Sequence, residues 1–281
     1  MKTIDSPHEM QETAIALKRE GKRIGYVPTM GFLHEGHLSL MRIARPQCDV
    51  LVTSIFVNPT QFGPNEDFNE YPRDIERDNT MCMEVGVDII FYPTPPQMYA
   101  KDHTVYVVEN HLSTGLCGGS RPIHFRGVLT VVSKLFNVVQ PDLAVFGQKD
   151  AQQFRLIRQM GRDLNFPIEI IAGPTIREPD GLAMSSRNAH LSPTERQEAV
   201  QIFNALQRAE TLFAKGERWT DVYRQEMEAV ILRAPSARID YIEIVDLESF
   251  QPVSRIEAPT LVAVAVFFEK ARLIDNAVLH P

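Results

Sequence analysis

Two histidines three residues apart, His34 and His37, stand in the stretch VPTMGFLHEGHLSLMRIA, residues 27–44, where an apolar strand-like run gives way to an amphipathic helix-like one. At that spacing both imidazoles share one face of the first helical turn. A helix N-terminus adds unpaired N–H groups and the positive end of its dipole. Gly31 and Gly36 would let a backbone or a phosphate approach closely. Together these residues have the chemistry of an anion site, and a nucleotide phosphate is the obvious anion. The plainer alternative is a pair of surface histidines at a helix start; the paired spacing around a glycine favours function. Zinc is not expected, because the HEGH string spaces its histidines by three where the zinc-protease signature needs four.

Other segments offer matching groups. Lys149, in FGQKDAQQF (146–154), lies at a second strand-to-helix junction on the same edge of the sheet and suits a phosphate, although a single lysine is more often a solvated surface charge. MSSRN (184–188) supplies the hydroxyls of Ser185 and Ser186 and the guanidinium of Arg187, which can engage phosphate oxygens with two donors at once. A string that short also occurs by chance. SIFVNPTQF (54–62) places Asn58 and Gln61 around Pro59, and HFRGVLTVV (124–132) places His124 and Arg126 ahead of a helix starting near Gly127. Both look fitted to a small polar substrate. Their plainer interpretations are a capped turn and a good helix N-terminus.

The elements that position these groups alternate. Ser6, Pro7 and Glu9 mark a capped first helix that Gly21 closes. Strands are predicted at 23–30, 50–58, 87–93, 143–147 and 168–173, and helices at 37–45, 72–85, 128–139 and 151–164. Strand and helix in turn imply right-handed crossovers, hence an α/β fold with a doubly wound parallel sheet. Beyond about residue 176 the texture changes. A polar loop leads to a long helix opened by Ser192, Pro193 and Glu195 and ending near Gly216, then a second helix over about 221–233 and two strands, RIDYIEIVDL and TLVAVAVFFE, in an antiparallel pair. The domains are therefore expected at 1–176 and 177–281, the second a smaller α+β unit.

Composition bounds the rest. At 281 residues, with 44% apolar and 23% charged side chains, the chain suits an ordinary globular protein of one large or two modest domains. A net charge of -7 argues against a general affinity for nucleic-acid backbone. Cys48, Cys82 and Cys117 are widely spaced and form no C-x-x-C pair, which favours a reducing compartment and offers no thiolate metal site. No apolar run approaches the ~20 residues needed to span a bilayer, and MKTIDSPHEM lacks a signal-peptide core. A cytoplasmic protein with neither nucleic-acid nor membrane partners is expected.

TMGFLHEGH, VNPTQFGPNEDFNEYPRD, HFRGVLTVVSKLFN, FGQKDAQQ and DGLAMSSRN occur together and in this order. In that combination the chain closely resembles the pantothenate synthetase (pantoate–β-alanine ligase) family of the HIGH-motif nucleotidyltransferase superfamily. The resemblance is dense over about residues 20–190 and looser beyond. It implies a Rossmann-like nucleotide- and pantoate-binding domain, a C-terminal lid, a homodimer, and ATP accompanied by Mg2+. The implied reaction is a two-step ligation: pantoate attacks the α-phosphate of ATP to give pantoyl adenylate and pyrophosphate, and β-alanine then displaces AMP to form pantothenate.

Residue by residue, the resemblance implies ATP contacts from Met30, Gly31, Phe32, Leu33, His34, Glu35, Gly36 and His37, from Gly147, Gln148, Lys149 and Asp150, and from Ile176, Met184, Ser185, Ser186 and Arg187. His37 is the implied proton donor with His34 beside it, and Lys149 and Arg187 complete the implied catalytic set. Gln61 and Gln153 would hold pantoate, Val131 and Val132 would line its apolar side, and Gln61 would also meet β-alanine. No residue is assigned to the metal. Gln148 stands where the family's Gly-Glu-Lys-Asp motif has glutamate, a departure that bears on local charge more than on the reaction. Two alternatives stay open at this point. One is another HIGH-type enzyme acting on a phosphorylated substrate; the other is a regulatory module that kept the fold and lost the chemistry. An RNA-binding role is disfavoured by the acidic charge and the lack of an anticodon-type domain.

Overall fold

The computed structural model describes residues 1–64 and 66–281. In chain order the first elements are β1 (Lys2–Ile4), α1 (Pro7–Arg19), β2 (Ile24–Thr29), α2 (Glu35–Ala44), β3 (Val50–Ile55), α3 (Ile75–Glu84), β4 (Ile89–Phe91), α4 (Pro95–Met98) and α5 (Leu116–Ser120). They continue with α6 (His124–Val139), β5 (Leu143–Gly147), α7 (Ala151–Asp163), β6 (Glu169–Gly173), α8 (Pro193–Glu198), α9 (Val200–Ala214), α10 (Thr220–Ile231), β7 (Arg238–Asp246), β8 (Thr260–Phe267) and β9 (Arg272–Leu279). The chain divides into two compact units. The first comprises Met1–Asn110, Arg121–Gln148 and Gln153–Pro174; the second comprises His111–Ser120, Lys149–Gln152 and Thr175–Pro281. Among the described residues no helix is long and apolar enough to cross a membrane.

The first unit is built on a six-stranded sheet in the order β1-β4-β3-β2-β5-β6, every pair parallel. Its inner strands read as nearly unbroken apolar runs because helices cover both faces. Val27, Leu51, Ile90 and Val145 are buried with Leu33 and Met41 in one core, each such side chain worth about 1.5–3 kcal/mol on burial. From β2 the chain winds outward through β3 to β4, then returns to place β5 on the other side of β2. That reversal makes a switch point outside the carboxyl ends of β2 and β5, where ligands of open α/β sheets settle.

Local sequence explains most element ends. The Ser6 hydroxyl accepts the Glu9 N–H at 3.3 Å with Pro7 opening α1, and Gly21 follows its end at φ +74°. Three helices begin elsewhere than predicted. α2 starts at Glu35, not His37, with His34 as its cap. α3 starts at Ile75, not Pro72, because the Asp74 carboxylate accepts the Arg77 N–H at 3.1 Å and caps it. α6 starts at His124, so His124 and Arg126 lie in its first turn. Strand β1 is an addition that the sequence pattern did not suggest.

The second unit holds the three-stranded antiparallel sheet β7-β8-β9. Ile244, Val262 and Val264 of this sheet share a core with Ala205 and Leu206 of α9 and Tyr223 and Met227 of α10. The expected β7–β8 pair is present, and β9 adds a third strand beside it. The single helix predicted from Pro193 to near Gly216 is broken at Ala199 into α8 and α9.

Candidate active site

Strand β2 delivers the loop that carries the two histidines. The Thr29 hydroxyl donates to the Ser54 carbonyl (2.8 Å) and accepts the Gly31 N–H (3.2 Å), pinning the strand end to β3. The chain then turns left-handed, Gly31 at φ +84° and Phe32 at φ +49°. A Cβ on Gly31 would meet Ile55 at 2.8 Å and Asp78 at 3.0 Å, so only glycine fits. Phe32 is the strained partner, at a cost of about 1–3 kcal/mol. Asp78 of α3 offsets that cost: its two oxygens accept the N–H groups of Phe32 (2.8 Å) and Leu33 (2.7 Å). Burial pushes the Asp78 carboxyl up from its usual range while those two N–H groups pull it back.

The histidines cap their own helix. His34 Nδ1 accepts the Gly36 N–H at 3.1 Å, and His37 Nδ1 accepts the His34 N–H at 3.3 Å, a reciprocal box made of two imidazoles. The rings lie 4.1 Å apart, centroid to centroid. With both Nδ1 atoms accepting, each neutral ring carries its proton on Nε2 and presents that atom as a donor. Leu33 is in the core. Glu35 is ion-paired with Arg42 on the exposed side of α2. Arg77 lies over the Phe32 ring at 5.2 Å.

A polar hub follows β3. Asn58, 1% exposed, accepts at Oδ1 from the Tyr99 hydroxyl (2.7 Å) and the Thr60 hydroxyl (2.9 Å). Its Nδ2 donates to Gln61 Oε1 (3.1 Å) and to the Gly127 carbonyl (3.1 Å). Tyr99 stays protonated for this, its hydroxyl pushed up to about 12 by burial. Gln61 Nε2 donates to Met30 Sδ at 3.2 Å, so the structure brings Gln61 directly onto the histidine loop. The Gln61 carbonyl meets His124 Nδ1 at 3.0 Å. Helix α6 approaches closely because a Cβ on Gly127 would lie 2.3 Å from the Thr60 oxygen. Val131 and Val132, further along α6, are buried. Gln153 sits half-buried in the first turns of α7, and its neighbour Gln152 is committed to structure, bonding the Cys117 N–H and the Leu112 and Gly115 carbonyls.

Gly147 ends β5, and Gln148–Asp150 form a tight 3-10 turn. In the second unit, the Lys149 carbonyl accepts from Asn276 Nδ2 at 2.9 Å. Ile176 and Met184 are joined across a hairpin by the Met184 N–H donating to the Ile176 carbonyl (2.9 Å). The Ser185 hydroxyl accepts the Arg187 N–H at 3.2 Å and caps the short turn Ser186–His190. Ser186 is buried and Arg187 half-buried. Among the described residues no three His, Cys, Asp or Glu side chains gather into a metal-holding group.

Sequence reasoning passed over Asp78. Its signal was spacing: it falls on the apolar stripe of α3 between Ile75 and Cys82, where a charge should not be. It also passed over Asp275 and Asn276, whose partners lie far away in sequence.

Paired imidazoles capping a helix at the switch point of a doubly wound parallel sheet are the arrangement expected of the HIGH-type nucleotidyltransferases that the sequence resembles. Comparison with known proteins narrows the class. Residues 2–278 match the family described as Pantoate-beta-alanine ligase. The chain is 54% identical over 279 residues to a pantothenate synthetase of Thermotoga petrophila, covering 99% of this chain and all of that one. It is 52% identical over 281 residues to one of Desulfatibacillum aliphaticivorans, covering both chains in full. Its fold matches the crystal structure of pantothenate synthetase from Thermus thermophilus with a TM-score of 0.94 at 44% identity over the whole of both chains. It also matches the pantoate-β-alanine ligase of Francisella tularensis, solved with β,γ-ATP and β-alanine, with a TM-score of 0.82 at 32% identity, covering 99% of this chain and 97% of that one. The chain belongs to the pantoate–β-alanine ligase family.

Proposed function

We propose that the chain joins pantoate to β-alanine at the expense of ATP, through a pantoyl adenylate, releasing pyrophosphate and then AMP. The observation that carries this proposal is the pair of Nδ1-anchored imidazoles on the α2 N-terminus. Two fixed N–H donors on a helix terminus favour a charge that grows during reaction, because they need no reorganisation when it appears.

In the first step a pantoate carboxylate oxygen attacks the α-phosphorus, the bond to the bridging oxygen breaks, and pyrophosphate leaves with the electron pair. Charge grows on the α-phosphate and the leaving group, and His34 and His37 stabilise it through Nε2–H. Lys149 and Arg187 are assigned the same nucleotide by the resemblance, as are Gly147, Gln148, Asp150, Ile176, Met184, Ser185 and Ser186. Gln61, Gln153, Val131 and Val132 are assigned to pantoate. In the second step the β-alanine amine attacks the acyl carbon, loses a proton and expels AMP. No protein nucleophile is needed, and the Cys82 thiol, pushed up to about 12 by burial, would be a poor one. Mg2+ enters with ATP in this proposal, since it commonly takes its ligands from phosphates and water.

Two coarser features belong to the same proposal. The three cysteines are thiols rather than half-cystines, in keeping with a cytoplasmic protein. A homodimer is supported by the stretch of residues 104–109, outside any helix or strand, which exposes Val105 (76%) and Val108 (56%), an apolar surface suited to a second copy. Sedimentation should then find a dimer that Val105→Asp dissociates; a monomeric parent chain would refute it. The activity is tested by product order. Pyrophosphate should require only ATP and pantoate, AMP should require β-alanine as well, and AMP released without β-alanine would contradict the scheme.

A further inference from the structure

Strand β9 carries a polar pair, Asp275–Asn276, in the middle of an otherwise apolar run. Both side chains are buried, and each reaches a different segment of the second unit. The Asp275 carboxylate takes Arg177 with both arms, Nη1 to Oδ2 at 2.5 Å and Nη2 to Oδ1 at 3.1 Å. Oδ1 also accepts the Asn276 N–H at 2.8 Å. Arg177 Nη1 donates in addition to the Gly181 carbonyl at 3.1 Å, and the guanidinium lies 4.7 Å from the Phe203 ring centroid. Arg177 is flanked by Ile176 and bridged to Ala183, so this cluster grips the hairpin leading from Ile176 to Met184 and on to Ser185, Ser186 and Arg187. Asn276 Nδ2 holds the Lys149 carbonyl at 2.9 Å.

Stability alone does not explain the pair. A buried ion pair carries a large desolvation cost, and apolar residues of similar volume often serve the fold as well or better. What apolar residues cannot do is bond a particular guanidinium and a particular carbonyl. We infer that Asp275 and Asn276 are positioning residues for ATP, two neighbours on one strand that hold the Lys149 turn and the hairpin of residues 176–187 in fixed register. The inference rests on the proposed function for the assignment of Lys149 and Arg187 to ATP. Asn276 sets the Lys149 main chain from which the ammonium extends; Asp275 sets the hairpin through Arg177. A misplacement on the order of 1 Å can cost about a hundredfold in rate, so a two-armed contact to Arg177 and one bond to the Lys149 carbonyl suffice to matter.

The test is a double-mutant cycle, Asn276→Ala against Lys149→Ala on the full chain, read by calorimetric titration with Mg-ATP and by pantoate-dependent pyrophosphate release. Asn276→Ala should weaken ATP binding and lower kcat/KM for ATP by about tenfold or more, with the pantoate KM moving less than about twofold. In the Lys149→Ala background the same substitution should change ATP binding by less than about twofold, because its effect runs through Lys149. Losses that simply add, or ATP binding equal to the parent's, would overturn the inference. If Asn276→Ala does not fold, Arg177→Lys, which keeps the charge and loses the two-armed geometry, carries the same test against Arg187→Ala. Calorimetry reads ATP alone. A non-additive cycle in a chain that releases no pyrophosphate would therefore sink the ligase proposal and leave this one standing.

Discussion

His34 has two duties that a substitution can separate. Its Nδ1 caps α2, and in the proposed mechanism its Nε2–H stabilises phosphate charge. Asparagine is among the best N-cap residues and offers an acceptor near the Nδ1 position, but no donor near Nε2. His34→Asn should keep or slightly raise the melting temperature while lowering pantoate-dependent pyrophosphate release by about a hundredfold or more. Turnover near the parent's in a stable variant would reduce the imidazole to a cap. The two duties were unequally legible in the sequence. That the pair stands at a helix start follows from spacing alone, whereas the mutual acceptance of N–H groups by both Nδ1 atoms depends on a loop conformation that Gly31, Phe32 and Asp78 impose from separate segments.

Helix α6 presses on the turn of residues 58–61 through Gly127, and this contact fixes Gln61 from both sides. Asn58 bonds Gln61 and the Gly127 carbonyl together. A methyl group at position 127 would lie 2.3 Å from backbone oxygen, which cannot swing away as a side chain could. Gly127→Ala should therefore cost about 1–3 kcal/mol of stability by overpacking and raise the pantoate KM, with the ATP KM little changed. Denaturant titration together with steady-state kinetics checks both; an unchanged pantoate KM would detach Gln61 from that substrate. Long periodic elements such as α1, α6 and the inner strands were readable because their patterns are repeated many times over. α6 is helical despite its valines because its position in the core outweighs a small loss of propensity. Elements written in few or mixed residues were not readable. β1 is three residues long, and β9 is interrupted by Asp275 and Asn276, the same pair that ties down Lys149 and Arg177. The break at Ala199 was hidden because no proline or glycine marks it.

At the scale of the whole molecule, a net charge of -7 belongs to a chain whose proposed substrate is itself an anion. In the proposal this is met by local means: in the first unit a helix terminus with two imidazole donors, and in the second the Lys149 turn and the Arg177 hairpin tied to buried Asn276 and Asp275. Net charge governs solubility and unspecific encounter, while a site depends on donors placed within a few ångströms. Topology was legible from the alternation of strands and helices, and the switch point between β2 and β5 follows from it. The central claim is that the chain activates pantoate as an acyl adenylate before β-alanine is used. Mass spectrometry of the chain incubated with ATP, Mg2+ and pantoate, β-alanine withheld, tests it most directly. The account predicts an adenylate of pantoate that accumulates in step with pyrophosphate and converts to pantothenate and AMP when β-alanine is added. Pantothenate formed on adding β-alanine with ADP and phosphate as the other products, and no adenylate at any time, would contradict it.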